Sequence, residues 1–556
     1  MKLLLVRHGE STANANGVLS SYPGDEVFLT ELGRVQARQL SLKLSDPINF
    51  VYVSPLKRTI ETAEIVFENR TGDISIDPRI KEVDYGNYSG HPNNAELDSI
   101  REMQVRGNYM VRFGGSGENK LDVLNRLYDF LIDVLGSHEE GATVLAVTHG
   151  SIISRIESIL VDAGVVKKQN GVKNAEIRKY ALQKTDIDKL VRLKKLDNLL
   201  ATSEYAEEIF QYRDRYAELA ADTKDPEVNL EVFEKFLEGL CTSRLMPLAV
   251  TNIETYRDLD SQTPVVVCAV HNSSLLIEMF IDHYTKIGVR HFVFIDNNSD
   301  DESVDTIKMK SKGLSVDIWQ TDDTFDSFKA MGWKQRMFYL YGVDRWYINL
   351  DIDELLVFEG YDKGQSIRDF IVKLEQRSYS GAGSILVDMY SNSPAPDEAT
   401  GDDILNEYRF FDIDTYDYDD SGDFGRRVFG GPRTRLIGRH PSLQKTPLVY
   451  VTESSIAINP HFWIPYDISR DARLCTALLH YKFLPGDLHK YQRYVDTGVH
   501  WDNSSQYRSY VEYAIEHGEV ALFYSREHSG ELNGFESVEQ IRYMDGSRVI
   551  EPLAHR

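Results

Sequence analysis

Short apolar runs alternate with amphipathic stretches along the first third of the chain. KLLLV, FVYVS and TVLAVT have the composition of strands, and NAEIRKYAL, which begins at Asn174, is predicted as the closing strand. Apolar residues recur at helical spacing in four segments: 30–45, 54–68, 119–136 and 151–163. This alternation predicts an α/β domain with a mainly parallel sheet over residues 1–183.

The pattern changes over residues 184–260. DIDKLVRLKKLDNLL and VNLEVFEKFLEGL have apolar residues at helical spacing with many charges between them, and no strand signal. This segment is predicted to be a helical connector that packs as a spacer. The alternatives are a lid or a dimerisation arm, and with an arm the chain would form a homodimer.

A second α/β domain is predicted over residues 261–556. It opens with VVVCAV, directly after Pro264, and alternation continues through HFVFID, SVDIWQ and RWYINLDID. The chain therefore has the pattern of an α/β multidomain protein, in which a helical connector joins two α/β domains.

Charge and composition narrow the classes of partner. A net charge of −25 disfavours nucleic acid as the main partner, since such binding needs a basic surface. Three scattered cysteines fit a reducing compartment. The apolar run at the N-terminus stops at Arg7, too soon for a signal peptide, and no run approaches the ~20 apolar residues of a membrane span. We expect a cytoplasmic protein that does not span a membrane.

Two predicted apolar strands of the N-terminal domain lead into histidines. KLLLV leads into Arg7 and His8, and TVLAVT leads into His149. Ligands of open α/β sheets bind beyond the carboxyl ends of the strands. If the two strands are neighbours, both histidines lie at one crevice.

A third segment adds a predicted anion site. In SPLKRTIETAEIV, Ser54 suits the N-cap and Pro55 the first helical position, so Arg58 is expected near the first turn. Backbone N–H groups and the helix dipole favour an anion there, and arginine can bind phosphoryl oxygens through two hydrogen bonds. The sequence predicts a phosphoryl-binding site.

A neutral imidazole of His8 could attack phosphorus to form a phosphohistidine. The leaving alkoxide needs a proton, and Glu82, before the turn at Gly86 and Gly90, is the candidate donor. The same carboxylate could then activate the water that hydrolyses the phosphohistidine. This chemistry requires no metal.

RHGESTAN, LTELGRVQA, SPLKRTIETA, KEVDYGNYSG and VTHGS resemble, in order, the signatures of the histidine phosphatase (phosphoglycerate mutase-like) superfamily. The resemblance covers roughly residues 1–183 and implies the α/β sandwich of that family. It implies His8 as nucleophile, Glu82 as proton donor, and four phosphate ligands: Arg7, Asn14, Arg58 and His149. Family mutases carry longer insertions than the segment between Gly90 and Gly117, which favours a phosphatase acting on a phosphorylated small molecule or glycan.

Carboxylates follow apolar strands in the C-terminal domain as well. Asp296 ends HFVFID, where it could accept hydrogen bonds from a nucleobase or ribose. Asp351 and Asp353 follow RWYINL, and on an extended strand they would project to one side. Two such carboxylates can hold Mg²⁺ or Mn²⁺ that also binds a substrate diphosphate.

The blocks CAVHNSSLLIEMFIDHYTKIGVRHFVFIDNNSDD, DRWYINLDIDELLVF and LLHYKFLPGDLHKY resemble GT-A-type glycosyltransferases of the family 2 and family 92-like groups, over roughly residues 262–500. The resemblance implies a Rossmann-like fold and a nucleotide-sugar donor. It implies that Asp351 and Asp353 bind metal and diphosphate, that Asp296 holds the nucleotide, and that His480 contacts the metal or phosphate. The chain has His271-Asn272 where relatives often carry a basic residue.

Two points stay open in the C-terminal domain. Glu354 is close in sequence to the metal pair, but it could face the core or pair structurally with an arginine instead of acting as the base. A set of arginines could hold the diphosphate or a phosphorylated acceptor, or could simply pair with nearby aspartates: Arg426, Arg427, Arg433 and Arg435.

The combined prediction is a bifunctional enzyme that joins a phosphatase to a metal-dependent glycosyltransferase with a carbohydrate or lipid-linked glycan acceptor, in surface or capsular polysaccharide biosynthesis. The alternative is a phosphatase whose C-terminal module binds glycan or nucleotide sugar without turnover. A nucleotidyltransferase is disfavoured, because the first strand is not followed by a Gly-rich activating loop.

Overall fold

The computed structural model describes most of the chain. The described residues are 1–22, 24–44, 47–68, 74–105, 109–166, 171–201, 246–250, 262–323, 325, 327–392, 400–420, 427–457, 461, 463–464, 468, 472–484, 487–498, 504–517 and 523–553. They fall into two compact units, one comprising residues up to 201 and the other the described residues from 247 onward.

The N-terminal unit is built on a five-stranded sheet with the strand order β3-β2-β4-β1-β5. Its strands are β1 (Lys2–Arg7), β2 (Phe50–Val53), β3 (Ile74–Ile76), β4 (Thr143–Thr148) and β5 (Ile177–Ala181). Its helices are α1 (Thr12–Asn16), α2 (Glu31–Lys43), α3 (Lys57–Phe67), α4 (Ala95–Val105), α5 (Lys120–Ser137), α6 (Gly150–Asp162) and α7 (Asp186–Ala201). Only β5 runs antiparallel within this sheet, so the mainly parallel α/β prediction is confirmed.

The central strands β1 and β4 are apolar along their length because both faces of the sheet are covered. On one face, Leu4 and Val6 pack with Leu145 and Val147 against the apolar sides of α2 and α3. Helix α6 begins directly after His149 and contacts β1. This packing fixes the carboxyl ends of β1, β2 and β4 side by side at one edge of the sheet.

The C-terminal unit contains a nine-stranded sheet among its described residues, with the order β11-β19-β12-β16-β10-β7-β8-β9-β6. Its strands are β6 (Met246–Val250), β7 (Val265–Val270), β8 (His291–Asp296), β9 (Ser315–Gln320), β10 (Arg345–Asp351), β11 (Glu354–Val357), β12 (Gly381–Asp388), β16 (Gln444–Val451) and β19 (Leu474–His480). Shorter strands form three two-stranded sheets: β13 (Phe410–Asp412), β14 (Tyr416–Asp419), β15 (Arg427–Gly430), β17 (Ile456–Ala457), β18 (Trp463–Ile464) and β20 (Ser529–Glu531).

Helices of this unit surround the large sheet and carry part of its apolar core. They are α8 (Ser274–Lys286), α9 (Ser303–Lys310), α10 (Ser327–Tyr341), α11 (Ile367–Glu375), α12 (Gly401–Glu407), α13 (Gly431–Ile437), α14 (Asp487–Thr497), α15 (Ser505–His517) and α16 (Phe535–Val538). No helix in the described part of the chain is both long enough and apolar enough to cross a membrane.

The carboxyl ends of six strands lie at one edge of the large sheet. β7, β8, β9 and β10 are parallel to one another, and β12 and β19 are parallel to each other. β16 pairs antiparallel with both β10 and β12, so all six of these strands run the same way. Their carboxyl ends therefore share an edge with the first residues of the antiparallel strands β11 and β16.

The prediction of a wholly helical connector is wrong at one place. Residues Met246–Val250 form β6, an edge strand of the large sheet. Pro247 has no N–H to donate within a helix, whereas an edge strand tolerates proline. Helix α7 does begin in the predicted connector, and VNLEVFEKFLEGL lies outside the described residues.

Candidate active sites

Two histidines lie together at the carboxyl ends of β1 and β4. These strands are parallel neighbours with Arg7 opposite Thr148, so the residues that follow meet at the same edge. The rings of His8 and His149 are 5.2 Å apart between centroids and both are buried. The structure thus brings together the two histidines expected at one crevice.

The tautomer of His8 follows from its two hydrogen bonds. Nδ1 lies 2.6 Å from the carbonyl oxygen of Gly9, and Nε of Arg58 lies 3.1 Å from Nε2. A carbonyl can only accept and a guanidinium can only donate, so Nδ1 carries the proton and Nε2 the lone pair. Burial, reinforced by the charge of Arg58, holds the pKa of His8 well below 6.5. The ring is therefore a neutral imidazole with an unprotonated Nε2.

Arg58 lies at the centre of the site. Besides His8, its guanidinium donates to Oγ of Ser20 at 3.2 Å, to the Ser20 carbonyl at 3.0 Å and to Nδ1 of His149 at 3.2 Å. Burial lowers the pKa of Arg58, but the group stays a cation at neutral pH. Its contact with both histidines makes it the cation best placed to bind a phosphoryl group.

Ser54 has a different role from the predicted helix cap. Helix α3 begins at Lys57 with Leu56 as its N-cap, so the predicted capping by Ser54 and the predicted first helical position of Pro55 are wrong. Oγ of Ser54 instead lies 2.7 Å from Nε2 of His149. Since Arg58 donates to Nδ1 of that ring, Nε2 carries the proton and donates to Ser54.

Glu82 is held beside His149 by the first turn of α6. Its Oε1 accepts hydrogen bonds from the hydroxyl of Ser151 and, at 2.9 Å, from the Val83 N–H. Its Oε2 lies 4.0 Å from Nδ1 of His149, and 14% of the side chain is exposed. One oxygen is thus fixed by the protein while the other faces the histidines.

Arg7 and Asn14 complete the predicted set. Nη1 of Arg7 donates to the Val172 carbonyl at 2.6 Å, and its buried Nε has no partner among the described residues. Asn14 is exposed, and its Oδ1 accepts from Ser11 N–H at 3.1 Å. A cavity of about 310 Å³ is lined by all these groups except His149: Arg7, His8, Asn14, Arg58 and Glu82.

Sequence reasoning missed three serines of this site. Ser20 and Ser151 line the cavity, and Ser54 supports His149. Ser151 directly follows the His149-Gly150 pair, so its neighbourhood was visible in the motif VTHGS. Ser20 lies 38 positions before Arg58, and no pattern around it indicates the contact between them.

In the C-terminal unit, Asp296 ends β8 as predicted, and its side chain is fully buried. Its carboxylate accepts from the Ser299 N–H at 3.2 Å and from Nε2 of Gln320 at 3.2 Å. These bonds tie the loop after β8 to the end of β9. Nearby, Nδ1 of His271 lies 2.8 Å from the Asn297 carbonyl.

Asp351 and Asp353 do not share one strand. β10 ends at Asp351, and Asp353 lies in the turn before β11, so the alternation assumed for an extended strand does not apply. The carboxylate of Asp351 lies between two ammonium groups, those of Lys334 at 3.1 Å and Lys445 at 2.9 Å. Lys334 and Lys445 therefore balance the charge of Asp351.

Asp353 meets His480 instead. Oδ2 of Asp353 lies 3.4 Å from Nε2 of His480, and ligand atoms of Asp353, Glu354 and His480 lie within 4.8 Å of one another. Burial opposes ionisation of Asp353, but His480 and Lys482 hold its pKa below the usual range. A carboxylate with an imidazole is a donor set that suits Mn²⁺ or a similar divalent cation.

Glu354 contacts Lys445 and the backbone of Asp351. It is buried and pairs with the ammonium group of Lys445, and its other oxygen accepts from the Asp351 N–H at 3.2 Å. Burial raises the pKa of Glu354. Glu354 is therefore buried and ion-paired, but its partner is a lysine and not the arginine that was expected.

Two of the three predicted arginines that the structure describes, Arg433 and Arg435, pair with aspartates. Arg433 Nε donates to Asp388 at 2.7 Å, and Arg435 Nε donates to Asp412 at 2.8 Å. Arg427 donates to the His440 carbonyl at 3.1 Å. Arg426 lies outside the described residues.

Comparison with known proteins identifies the N-terminal unit. The sequence profile of the histidine phosphatase superfamily (branch 1) matches residues 3–191. Phosphoserine phosphatase 1 of Hydrogenobacter thermophilus is 35% identical over 153 residues, which cover 27% of this chain and 71% of the relative. A 2,3-bisphosphoglycerate-dependent phosphoglycerate mutase of Thermoplasma acidophilum is 29% identical over 177 residues, which cover 31% of this chain and 84% of the relative.

Among solved structures, the alpha-ribazole phosphatase of Shigella flexneri is 25% identical, with a TM-score of 0.26, over 29% of this chain and 80% of that one. The predicted family of the N-terminal domain is confirmed by the sequence matches. Through its N-terminal unit, the chain belongs to branch 1 of the histidine phosphatase superfamily.

Proposed function

We propose that the N-terminal unit hydrolyses a phosphomonoester of a small molecule or glycan through a phosphohistidine on His8. The observation that carries the proposal is the convergence on one cavity of a neutral His8 Nε2, the guanidinium of Arg58 and the carboxylate of Glu82. A nucleophile, a cation for the phosphoryl oxygens and a proton donor are the parts that this reaction needs.

In the first step, Nε2 of His8 attacks phosphorus and the bond from phosphorus to the ester oxygen breaks. Arg58 and the unpartnered Nε of Arg7 donate to the equatorial oxygens, together with the amide of Asn14. His149 accepts from Arg58 through Nδ1 and so orients the guanidinium. The direct phosphate contact that the resemblance implies for His149 would require a second proton on this ring. Glu82 in its protonated form gives its proton to the leaving oxygen, so the alcohol departs neutral.

In the second step, water attacks the phosphohistidine and the bond from nitrogen to phosphorus breaks. Glu82, now a carboxylate, takes the proton of that water, and inorganic phosphate leaves. The hydrogen bond from His8 Nδ1 to the Gly9 carbonyl keeps the ring in one tautomer throughout. No step needs a metal ion.

The named relatives include both a phosphatase and a mutase, so the two reactions must be separated. A phosphatase passes the phosphoryl group to water, whereas a mutase returns it to the bound alcohol. The brevity of the segment between Gly90 and Gly117 favours hydrolysis. Measuring phosphate release and isomerisation of 3-phosphoglycerate in the same preparation distinguishes them.

The test of the phosphatase proposal is hydrolysis of para-nitrophenyl phosphate by wild type and His8→Ala, with labelling by a ³²P-phosphoester that is quenched in alkaline detergent. We expect an acid-labile, alkali-stable label on wild type and none on the variant, with a loss of at least about 10³-fold in kcat. His91→Asn, at an exposed position outside the cavity, is the matched control. Labelling of the His8→Ala chain would refute the proposal.

We further propose that the C-terminal unit is a GT-A-type glycosyltransferase that uses a nucleotide sugar. The observation that favours it is the order β9-β8-β7-β10, in which the direction of progression reverses between β7 and β10. Ligands of open α/β sheets bind at the carboxyl edge beside such a reversal. Asp351 ends β10 at this point, and Asp353 and Asp296 belong to the same edge.

In this proposal Asp353 and His480 hold Mn²⁺ or Mg²⁺, with Asp351 close by, and Asp296 shapes the loop that contacts the nucleotide. When bound, such a cation supplies neutralisation of the diphosphate leaving group. Lys334 and Lys445 orient Asp351 and hold it ionised. The acceptor is a carbohydrate or lipid-linked glycan of a surface or capsular polysaccharide.

Turnover of a panel of nucleotide sugars with Mn²⁺ tests this second proposal. Release of nucleoside diphosphate from one donor by wild type, but not by Asp351→Asn/Asp353→Asn, is the expected result. The double variant should still hydrolyse para-nitrophenyl phosphate. If no donor turns over with a range of acceptors while glycan binds without metal, the C-terminal unit is a binding module and the transferase proposal fails.

A further inference from the structure

Three neighbouring strands bring an unassigned carboxylate to the proposed cation site. β19 pairs with β11 on one side and with β12 on the other, and in this register His480 stands opposite both Glu354 and Asp388. Directly opposed residues of adjacent strands project to the same face of a sheet. Asp388 is thus a spatial neighbour of His480, although 92 positions separate the two along the chain.

Asp388 fixes the orientation of the His480 ring. Nδ1 of His480 lies 2.6 Å from Oδ1 of Asp388, and Nε of Arg433 donates to Oδ2 at 2.7 Å. Asp388 is 1% exposed and Arg433 is 3% exposed, so neither pairs with solvent instead. The guanidinium of Arg433 can only donate, so Asp388 faces it as a carboxylate. The other oxygen of this carboxylate accepts from His480, so Nδ1 of the ring carries the proton toward Asp388.

The other ring nitrogen then faces the proposed cation site. Nε2 of His480 lies 3.4 Å from Oδ2 of Asp353. Small divalent cations hold ligands at about 2.0–2.2 Å, so two neighbouring ligands of one ion lie about 3–3.5 Å apart. The distance between these two atoms falls in that range. A carboxylate on the far nitrogen of a metal-binding histidine is a common support for ligation.

We propose that Asp388, held by Arg433, is a positioning residue that turns Nε2 of His480 toward Asp353, so that the two side chains together bind a divalent cation. The inference rests on the cation site of the proposed glycosyltransferase. The competing arrangement is a metal-free ion triad, in which a protonated His480 bridges Asp353 and Asp388. Direct measurement of cation binding separates the two.

The experiment titrates the full-length chain with Mn²⁺ and follows free Mn²⁺ by electron paramagnetic resonance. Asp388→Asn is expected to raise the Kd for Mn²⁺ by about 10–100-fold, the usual effect of removing such a support. His480→Gln is expected to raise it at least as much. In wild type, the spin echo of bound Mn²⁺ should carry nitrogen modulation from His480, and His480→Gln should remove that modulation.

Asp412→Asn is the matched control. Asp412 is fully buried and accepts from Nε of Arg435 at 2.8 Å, so its variant also leaves a partly buried arginine without its carboxylate. It is expected to bind Mn²⁺ within twofold of wild type. Tryptophan fluorescence reports whether each variant is folded. If Asp388→Asn unfolds, Asp388→Glu takes its place, because it keeps a carboxylate for Arg433 but displaces it from His480.

Absence of Mn²⁺ binding by wild type would overturn the inference, as would equal Kd values for the Asp388 variant and the Asp412 control. Those results leave sugar transfer to be judged by its own assay. Conversely, a chain that binds Mn²⁺ as expected but turns over no nucleotide sugar would support the role of Asp388 and refute the transferase proposal.

Discussion

Nε of Arg58 lies 3.1 Å from Nε2 of His8, the ring nitrogen proposed to attack phosphorus. Because the guanidinium donates to this nitrogen, the lone pair of His8 points at the cation that would bind the phosphoryl oxygens. A phosphoryl group entering the cavity would exchange this hydrogen bond for bonds between Arg58 and its oxygens. Attack and charge stabilisation therefore depend on the same pair of residues.

Arg58→Lys should impair phosphatase activity although it keeps the positive charge. Lysine offers one ammonium group, whereas the guanidinium contacts both histidines and Ser20 through separate nitrogens. We expect a loss of about 10²-fold in kcat/KM for para-nitrophenyl phosphate, typical of losing one preorganised transition-state donor. Arg38→Lys, at an exposed position of α2, serves as control. Activity within threefold of wild type would contradict the role given to the guanidinium.

Ser54→Ala should reduce both turnover and stability. The hydroxyl lies 2.7 Å from Nε2 of His149, and its removal leaves a buried ring N–H without an acceptor. We expect a cost of about 1–3 kcal/mol in the free energy of unfolding, together with a fall in kcat as the ring loses its fixed orientation. Urea denaturation and para-nitrophenyl phosphate hydrolysis measure the two effects.

Ser41→Ala is the control for Ser54→Ala. Its hydroxyl donates to the Val66 carbonyl at 2.9 Å, away from the histidines, so this variant should lose stability without losing kcat. If both variants retain full kcat, Ser54 supports only the fold.

These residues show how far the sequence could predict the sites. Parallel strands end at one edge, so the meeting of His8 and His149 follows from two apolar runs and the residues after them. Ser54 followed by proline before a helical pattern predicts a helix cap. The observed partner of Ser54 is His149, which lies 95 positions away along the chain. Local patterns do not encode such distant partners.

The same limit applies more strongly in the C-terminal unit. DID predicted two carboxylates on one side of a strand, but β10 ends at Asp351 and Asp353 lies in the turn that follows. The lysines beside Asp351 come from α10 and β16, and Asp388 comes from β12. Which strands become neighbours depends on the topology of the whole sheet, and no motif around these residues records it.

Acidification should destabilise the N-terminal unit through its two buried histidines. Burial, reinforced by Arg58, holds the pKa values of His8 and His149 well below 6.5 in the folded unit. The unfolded chain binds protons at these rings as the pH falls below about 6.5, while the folded unit does not. Stability is therefore complete above that pH and declines below it, with a limiting slope of about 2.7 kcal/mol per pH unit for two groups.

Hydrogen exchange in urea, followed by mass spectrometry of peptides from β1 and β4, measures this decline between pH 7 and pH 5. His149→Gln removes one titrating group and should make the decline shallower. A slope that does not change in the variant would show that other groups cause the pH dependence.

Removal of the ammonium group of Lys445 should lower the free energy of unfolding of the C-terminal unit. Its buried ammonium group pairs with Glu354 and lies 2.9 Å from Oδ2 of Asp351. Lys445→Met leaves the fully buried Glu354 without its counter-charge, so we expect a loss of about 3–5 kcal/mol in the free energy of unfolding. Urea denaturation followed by tryptophan fluorescence measures this unit selectively, since all five Trp residues follow residue 318.

A double-mutant cycle with Glu354→Gln tests whether that cost comes from the stranded charge. In the Lys445→Met/Glu354→Gln chain no buried carboxylate is left at position 354, so most of the lost stability should return, with a coupling energy of at least about 2 kcal/mol. Additive losses would instead mean that Lys445 stabilises the unit by packing, or through Asp351. Since Asp351 is 45% exposed, water can solvate it when the lysine is gone, whereas Glu354 has no such recourse.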